Sequence, residues 1–255
     1  DLMLVAMSAT LDAAPVAELM AAPIVTSEGR SFEVTPSWLD KPVGKQRFGN
    51  AVADLTLKAL SEAPGSALVF LPGEGEIRRV EALLRPALPE DCTLAPLFGA
   101  LDFKAQQAAI APAPSGRKVV LATSIAETSL TIEGIRIVVD AGRSRRALFD
   151  PTSGMSRLVT ERVTRAEATQ RAGRAGRLDT GVAYKLWTRG EEGALATFPP
   201  AEIEAGDLTG FALELALWGA QASALSFVTP PHPGRLAEAH TVPQTPGVHD
   251  AAGGR

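Results

Sequence analysis

Short apolar runs alternate with helix-period segments through most of this chain. Leu2–Met7, Ala67–Leu71, Leu94–Phe98, Val119–Ala122 and Ile135–Asp140 are nearly uninterrupted apolar stretches of strand length. Phe32–Leu39 alternates weakly and reads as another strand. Between them, residues 12–20, 46–63, 75–84 and 103–111 repeat their apolar positions at helical spacing; Ile77, Val80, Leu83 and Leu84 form one such stripe. Continuously apolar, β-branched strands separated by helices predict a parallel sheet covered on both faces. In such α/β sheets ligands lie beyond the carboxyl ends of the strands.

The pattern changes after Asp140. Residues 146–150 and 155–160 flank Pro151-Thr152-Ser153-Gly154, a turn sequence that predicts a β-hairpin. Thr164-Arg165-Ala166-Glu167 has the form of a capping box and sets the start of a helix at Thr164. Gly181 stands just past the expected end of that helix, and Val182–Trp187 reads as a further strand. From Phe198-Pro199-Pro200 the style changes again. Residues 207–218 carry Leu208, Phe211, Leu215 and Trp218 as an amphipathic stripe, and the last stretch, 240–255, is Gly- and Pro-rich with little apolar content, as in a disordered tail.

Composition narrows the function classes. The apolar fraction of 45% and charged fraction of 21% are those of a globular domain. The single cysteine, Cys92, excludes an internal disulfide and fits a reducing, cytoplasmic setting. No apolar run approaches the roughly 20 residues that span a bilayer. Asp1 directly precedes an apolar run, which reads as a chain that begins inside a fold. The net charge of −4 argues against bulk electrostatic coating of nucleic acid, yet ten arginines against four acids lie between Arg136 and Arg177. Phosphate-binding capacity is concentrated there.

The most informative part of that segment is Gln170-Arg171-Ala172-Gly173-Arg174-Ala175-Gly176-Arg177. On a helix of 3.6 residues per turn, Gln170, Arg174 and Arg177 share a face and Arg171 points roughly 100° away, toward a structural role. Two guanidinium groups and an amide that converge between small residues suit a polyphosphate, because arginine stays charged and presents a planar fork of donors. Three further segments accompany it: Ser8-Ala9-Thr10 after the first apolar run, Phe70-Leu71-Pro72-Gly73, and the hydroxyl-rich stretch 123–133 between two strands. Hydroxyls and free backbone N–H groups bind phosphate oxygens without positive charge.

These four segments, in this order and spacing, resemble motifs III, IV, V and VI of superfamily 2 helicases. Ala126-Glu127-Thr128-Ser129-Leu130-Thr131-Ile132 together with residues 170–177 resembles the DEAH/RHA group, and Gly73-Glu74-Gly75-Glu76-Ile77 with Asp140-Ala141-Gly142-Arg143-Ser144-Arg145-Arg146 is similar to its bacterial HrpB type. The resemblance covers residues 2–235. It implies an α/β fold with a RecA-like parallel sheet, helices on both faces, a strand-separating hairpin and the start of a winged-helix module. The implied domains are the end of a first lobe over 1–30, a second RecA-like lobe over 31–197, the winged-helix start over 198–239 and a tail over 240–255.

The same resemblance implies roles. Arg174 and Arg177 match arginine fingers, and Gln170 the residue that reaches the γ-phosphate or attacking water. Ser129 matches a nucleotide sensor, Glu133 an acid near the ribose, and Ser8 and Thr10 residues that couple the nucleotide to the strand-binding face. Ile110 stands where many relatives carry a base-stacking aromatic residue, which implies apolar contact and weak base discrimination. Thr123, the backbone at Gly73, and Arg143 are implied on nucleic acid. The implied cofactor is ATP with Mg²⁺, and the implied partners are RNA (DNA is also open) and the first RecA-like lobe. No Gly-x-x-x-x-Gly-Lys-Ser/Thr and no Asp-Glu-Ala-His occurs in the chain, so the resemblance assigns the phosphate cradle and the Mg²⁺ site to that first lobe. Two other readings stay open: a non-catalytic nucleic-acid-binding module, and part of a protein-remodelling ATPase whose fingers act across subunits.

Overall fold

A computed structural model describes residues 3–7, 13–26, 32–44, 47–127, 131–150 and 153–241. The described residues divide into two compact units. One comprises residues 28–146 and 160–199, and the other residues 1–27, 147–159 and 200–255.

The larger unit is built on six strands: β1 (Val34–Leu39), β2 (Ser66–Phe70), β3 (Cys92–Leu97), β4 (Arg117–Ala122), β5 (Ile135–Asp140) and β8 (Gly181–Thr188). They pair in the order β1-β8-β5-β2-β4-β3, and every pair is parallel. Leu68 of β2 sits between Val120 of β4 and Val138 of β5. Side chains alternate across a strand, so Ala67, Val69, Val119, Leu121, Ile137 and Val139 form one core with α2 (Phe48–Glu62) and α3 (Glu74–Leu84). Leu68, Phe70, Val120, Ala122 and Val138 form the opposite core, against α4 (Phe103–Ile110) and the segment after α5 (Arg165–Ala172). With both faces covered, the strands must be apolar throughout, which is why they read as unbroken runs.

Two consecutive cations interrupt the apolar run of β4, and each closes a helix on its own face. Arg117 donates to the Leu60, Ala63 and Gly65 carbonyls at the end of α2, at 2.7, 2.8 and 2.7 Å. Lys118, only 4% exposed, turns to the other face and donates to the Ala109 and Ala111 carbonyls at the end of α4. Helix C-termini leave carbonyls without intrahelical partners, and cations there satisfy both the hydrogen bond and the dipole. Burial pushes the Lys118 pKa below its ordinary value.

Beyond β5 the chain turns at Gly142 into the antiparallel pair β6 (Arg143–Asp150) and β7 (Met155–Arg162). Gly142 has φ of +71°, and a Cβ there would lie 2.8 Å from the Trp187 ring, so both backbone and space call for glycine. The expected capping box forms: Thr164 accepts from the Glu167 N–H, and the Glu167 carboxylate accepts from the Thr164 N–H at 2.7 Å. Helix α6 (Arg189–Gly193) follows β8.

The smaller unit holds α1 (Ala13–Met20), the far part of the hairpin, α7 (Glu202–Ala205), α8 (Thr209–Trp218) and α9 (Pro233–Thr241). Its core is small: Leu208, Ala212 and Ala239, with Ile203 and Leu236 against them. None of the described helices is long and apolar enough to cross a membrane.

Three expectations are corrected. Residues 3–7 form no strand; Met3, Leu4, Val5 and Met7 are exposed, and no neighbouring strand pairs with them. Trp218, expected on the apolar stripe of α8, is 79% exposed, because the core reaches only the side of α8 that carries Ala212 and Leu215. The helix from Thr164 ends at Ala172, well before Gly181, and tightens into a 3₁₀ turn over Gly173–Gly176. Ser8, Thr10, Ser129 and residues 242–255 lie outside the described residues.

The capping box makes α5 acid-sensitive. Burial alone would raise the Glu167 carboxyl, but the Thr164 N–H and hydroxyl and the Arg146 guanidinium outweigh it and hold its pKa below the ordinary value. A depressed carboxylate contributes stability that is complete above the unfolded pKa, about 4.3, and is lost as pH falls through the folded pKa. Denaturant unfolding of Glu167→Gln is expected to show a loss of about 1–2 kcal/mol at pH 7, and the gap to wild type should shrink below about pH 4.

Candidate functional site

The octapeptide is anchored by the arginine that was expected to point away. Arg171, 1% exposed, donates to Asp140 Oδ1 at 2.8 Å, to Glu127 Oε1 at 2.7 Å, to the Ser144 hydroxyl at 2.6 Å and to the Arg143 carbonyl at 3.3 Å. Its guanidinium also lies 5.1 Å from the centre of the Phe70 ring. One side chain thereby ties α5 to the end of β5, the start of β6 and the loop after β4. Burial disfavours the Arg171 charge, but Asp140 and Glu127 outweigh it and hold the pKa up. Burial also pushes the Glu127 carboxyl up, against the pull of Arg171. Asp140 Oδ1 is shared with the Gly142 N–H at 2.8 Å, so the same carboxylate shapes the turn into the hairpin.

The two expected fingers follow on the 3₁₀ turn. At three residues per turn, side chains three apart eclipse, so Arg174 and Arg177 stay on one side although the α-helix has ended. Arg174 is 7% exposed and donates to the Glu127 carbonyl. Arg177 is exposed and donates to the Thr131 hydroxyl at 2.6 Å. Burial, and then the adjacent Arg177 charge, push the Arg174 pKa down to about 10. Arg174 therefore keeps its charge at neutral pH in a place where the fold disfavours it, and an anion would relieve that. The small residues between them serve close packing within the unit. Ala175 is fully buried, and a Cβ on Gly176 would lie 2.5 Å from the Phe32 carbonyl oxygen.

Other expected residues fall into two places. Gly73, Thr123 and Arg143 follow the carboxyl ends of β2, β4 and β5, three strands that are neighbours in the sheet. Gly73 caps α3; Thr123 begins a 3₁₀ turn over Ser124–Ala126, and its N–H donates to Leu97. Ile110 ends α4 and packs in the same cluster as Ile132 and Ala175, which brings it to the face of the sheet that carries Arg174 and Arg177. Glu133 is exposed in the loop before β5, and Gln170 is half-buried on α5. Thr123 thus stands at the strand-end edge, while Glu127 and Thr131 accept from Arg174 and Arg177.

Two residues of this geometry escaped the sequence reading. Glu127 holds Arg171 with its carboxylate and Arg174 with its carbonyl; its acid inside a hydroxyl-rich stretch was the signal. Arg145 lies across Gly73, where a Cβ would meet its guanidinium at 2.4 Å, and pairs with Glu76 at 3.3 Å. An anion at the Gly73 backbone would meet that charge first.

This is a RecA-like sheet with an arginine-bearing turn on one face and a polar edge at its strand ends, and comparisons with known proteins agree. The profile of the helicase conserved C-terminal domain matches residues 50–179, about half of the chain, and the chain belongs to that family. Within it the chain is of the DEAH-box, HrpB type. It is 51% identical to the ATP-dependent RNA helicase HrpB of Escherichia coli (strain K12) over 221 residues, which cover 86% of this chain and 27% of that protein. It is 38% identical to the pre-mRNA-splicing factor ATP-dependent RNA helicase prp22 of Schizosaccharomyces pombe over 229 residues, 86% of this chain and 19% of that protein. A crystal structure of the E. coli DExH-box NTPase HrpB superposes with a TM-score of 0.86 at 47% identity, covering 93% of this chain and 30% of that chain. The chain thus spans about a fifth to a third of the length of these relatives.

The two arginines should separate by stability. Arg171→Ala leaves Glu127 and Asp140 as uncompensated buried acids and is expected to cost about 3–5 kcal/mol in chemical denaturation. Arg174→Gln is expected to cost less in the same denaturation, because burial and the Arg177 charge already disfavour its guanidinium.

Proposed function

We propose that this chain supplies the second half of the ATP site, and part of the strand grip, of an ATP-dependent RNA helicase. The observation that carries this reading is the pair Arg174 and Arg177, tied to Glu127 and Thr131 at one end of a loop whose other end is Thr123 at the strand edge. Two adjacent cations, one with its pKa pushed down to about 10, have the electrostatics of a site prepared for polyphosphate.

In this mechanism ATP with Mg²⁺ would bind against the face carrying the arginines, with a first RecA-like lobe holding the metal, and would supply the bond whose hydrolysis drives the cycle. Arg174 and Arg177 leave their loop acceptors and turn to the γ-phosphate, where charge spreads in the transition state. Gln170 orients the attacking water. Ile110 offers apolar contact to the base, Glu133 lies near the ribose, and Ser129 reports the state of the nucleotide. Release of the Glu127 carbonyl and the Thr131 hydroxyl changes the loop, and the change reaches Thr123, which holds a nucleic-acid phosphate. Gly73 and Arg143 hold the strand at the neighbouring strand ends, Ser8 and Thr10 couple the two lobes, and the hairpin separates strands as RNA is drawn 3′ to 5′. The helices from α8 onward begin a winged-helix module.

The test is ATP turnover by a longer polypeptide that joins this chain to its first lobe, with and without RNA. Wild type should be stimulated by RNA, and Arg174→Ala should lose roughly 10³-fold or more of that activity. The 255-residue chain alone should show no measurable turnover. Robust hydrolysis by the chain alone, or full RNA-stimulated activity in Arg174→Ala, contradicts the proposal.

A further inference from the structure

The carboxyl ends of β5 and β8 open into a cleft of about 360 Å³ within the larger unit. Leu186, Trp187 and Leu195 form its apolar floor, Phe48 one wall, and Arg143, Thr160, Arg162 and Glu191 its polar rim. The volume is within the range of small-ligand pockets, and the place is where parallel sheets bind ligands.

The charges around it are uneven. Arg145 pairs with Glu76, Arg146 with Glu161 and Glu167, Arg162 with Glu191 at 2.8 Å, and Arg171 with Glu127 and Asp140. Arg143 makes no ion pair among the described residues. Its guanidinium lies over the Phe48 ring, 4.6 Å from the ring centre, and its backbone is fixed because its carbonyl accepts from Arg171. The rim therefore has one uncompensated positive charge, on a group already oriented by an aromatic face, above an apolar floor. A guanidinium so placed donates to a phosphate with its N–H edge and stacks a planar ring on its open face.

We propose that this cleft is a binding site for one nucleoside monophosphate unit, with the phosphate on Arg143 and the base against the apolar floor. The unit is either a free mononucleotide or one nucleotide of a strand; only the strand form rests on the proposed helicase function. The site is distinct from the face that carries Arg174 and Arg177.

Trp187 lines the cleft, and its indole resonance reports on occupancy. The 255-residue chain is titrated with uridine 5′-monophosphate and, separately, with octauridylate. The Trp187 signal is followed by NMR after assignment with Trp38→Phe and Trp218→Phe, while total binding of labelled octauridylate is followed by anisotropy. A shift with the mononucleotide identifies a free nucleotide as sufficient, and a shift with octauridylate alone identifies a strand nucleotide. In either case Arg143→Ala should weaken the titration by about tenfold or more, the loss expected for a charged hydrogen bond, and Arg143→Lys by less. A Trp187 signal that neither probe moves overturns the proposal, as does an Arg143→Ala chain of unchanged circular dichroism that titrates like wild type. Octauridylate binding with Trp187 unmoved overturns this cleft while retaining nucleic-acid binding elsewhere on the chain. If Arg143→Ala does not fold, the wild-type titration still decides.

Discussion

A single buried guanidinium organises the candidate site. Arg171 has lost almost all contact with water, and two carboxylates, a hydroxyl and a carbonyl replace it. A buried charge is tolerated only when paired and hydrogen-bonded, and Arg171 meets that condition only if α5, the end of β5, the start of β6 and the loop after β4 all sit where they do. The octapeptide is thus held in place by Arg171, while Arg174 donates to the Glu127 carbonyl and Arg177 to the Thr131 hydroxyl of the same loop.

The sheet separates two surfaces and then connects them. Strand β4 carries Arg117 and Lys118 near its start, where they close α2 and α4, and Thr123 directly beyond its other end. The loop that follows meets Arg171 and Arg174 at Glu127 and Arg177 at Thr131. The acceptors of Arg171, Arg174 and Arg177 thus lie within a few residues of the end of β4 in sequence.

Much of this was legible in the sequence because the physics is local. Strands buried on both faces must be apolar at every position, so β2, β4 and β5 were readable as runs. The Thr164–Glu167 capping box is a four-residue interaction, and the 100° step of a helix sufficed to set Arg171 apart from Gln170 and Arg174. What was not legible depends on distant partners. The tightening at Gly173 keeps Arg174 and Arg177 together by a geometry other than the α-helix first assumed. Residues 3–7 have strand composition but no strand to pair with, and Trp218 has a place on the helical stripe but nothing to cover it. Arg145 over Gly73 and Arg143 over Phe48 join positions that only the fold brings together, 72 and 95 residues apart in the chain.

The central claim is that Arg171 makes the loop after β4 and the octapeptide one mechanical unit. Amide hydrogen exchange on Arg171→Met tests it most directly. The account predicts that protection falls together over residues 123–127 and 170–177 while β2 and α2 stay as in wild type. Loss confined to one of the two segments, or wild-type protection in both, would contradict it.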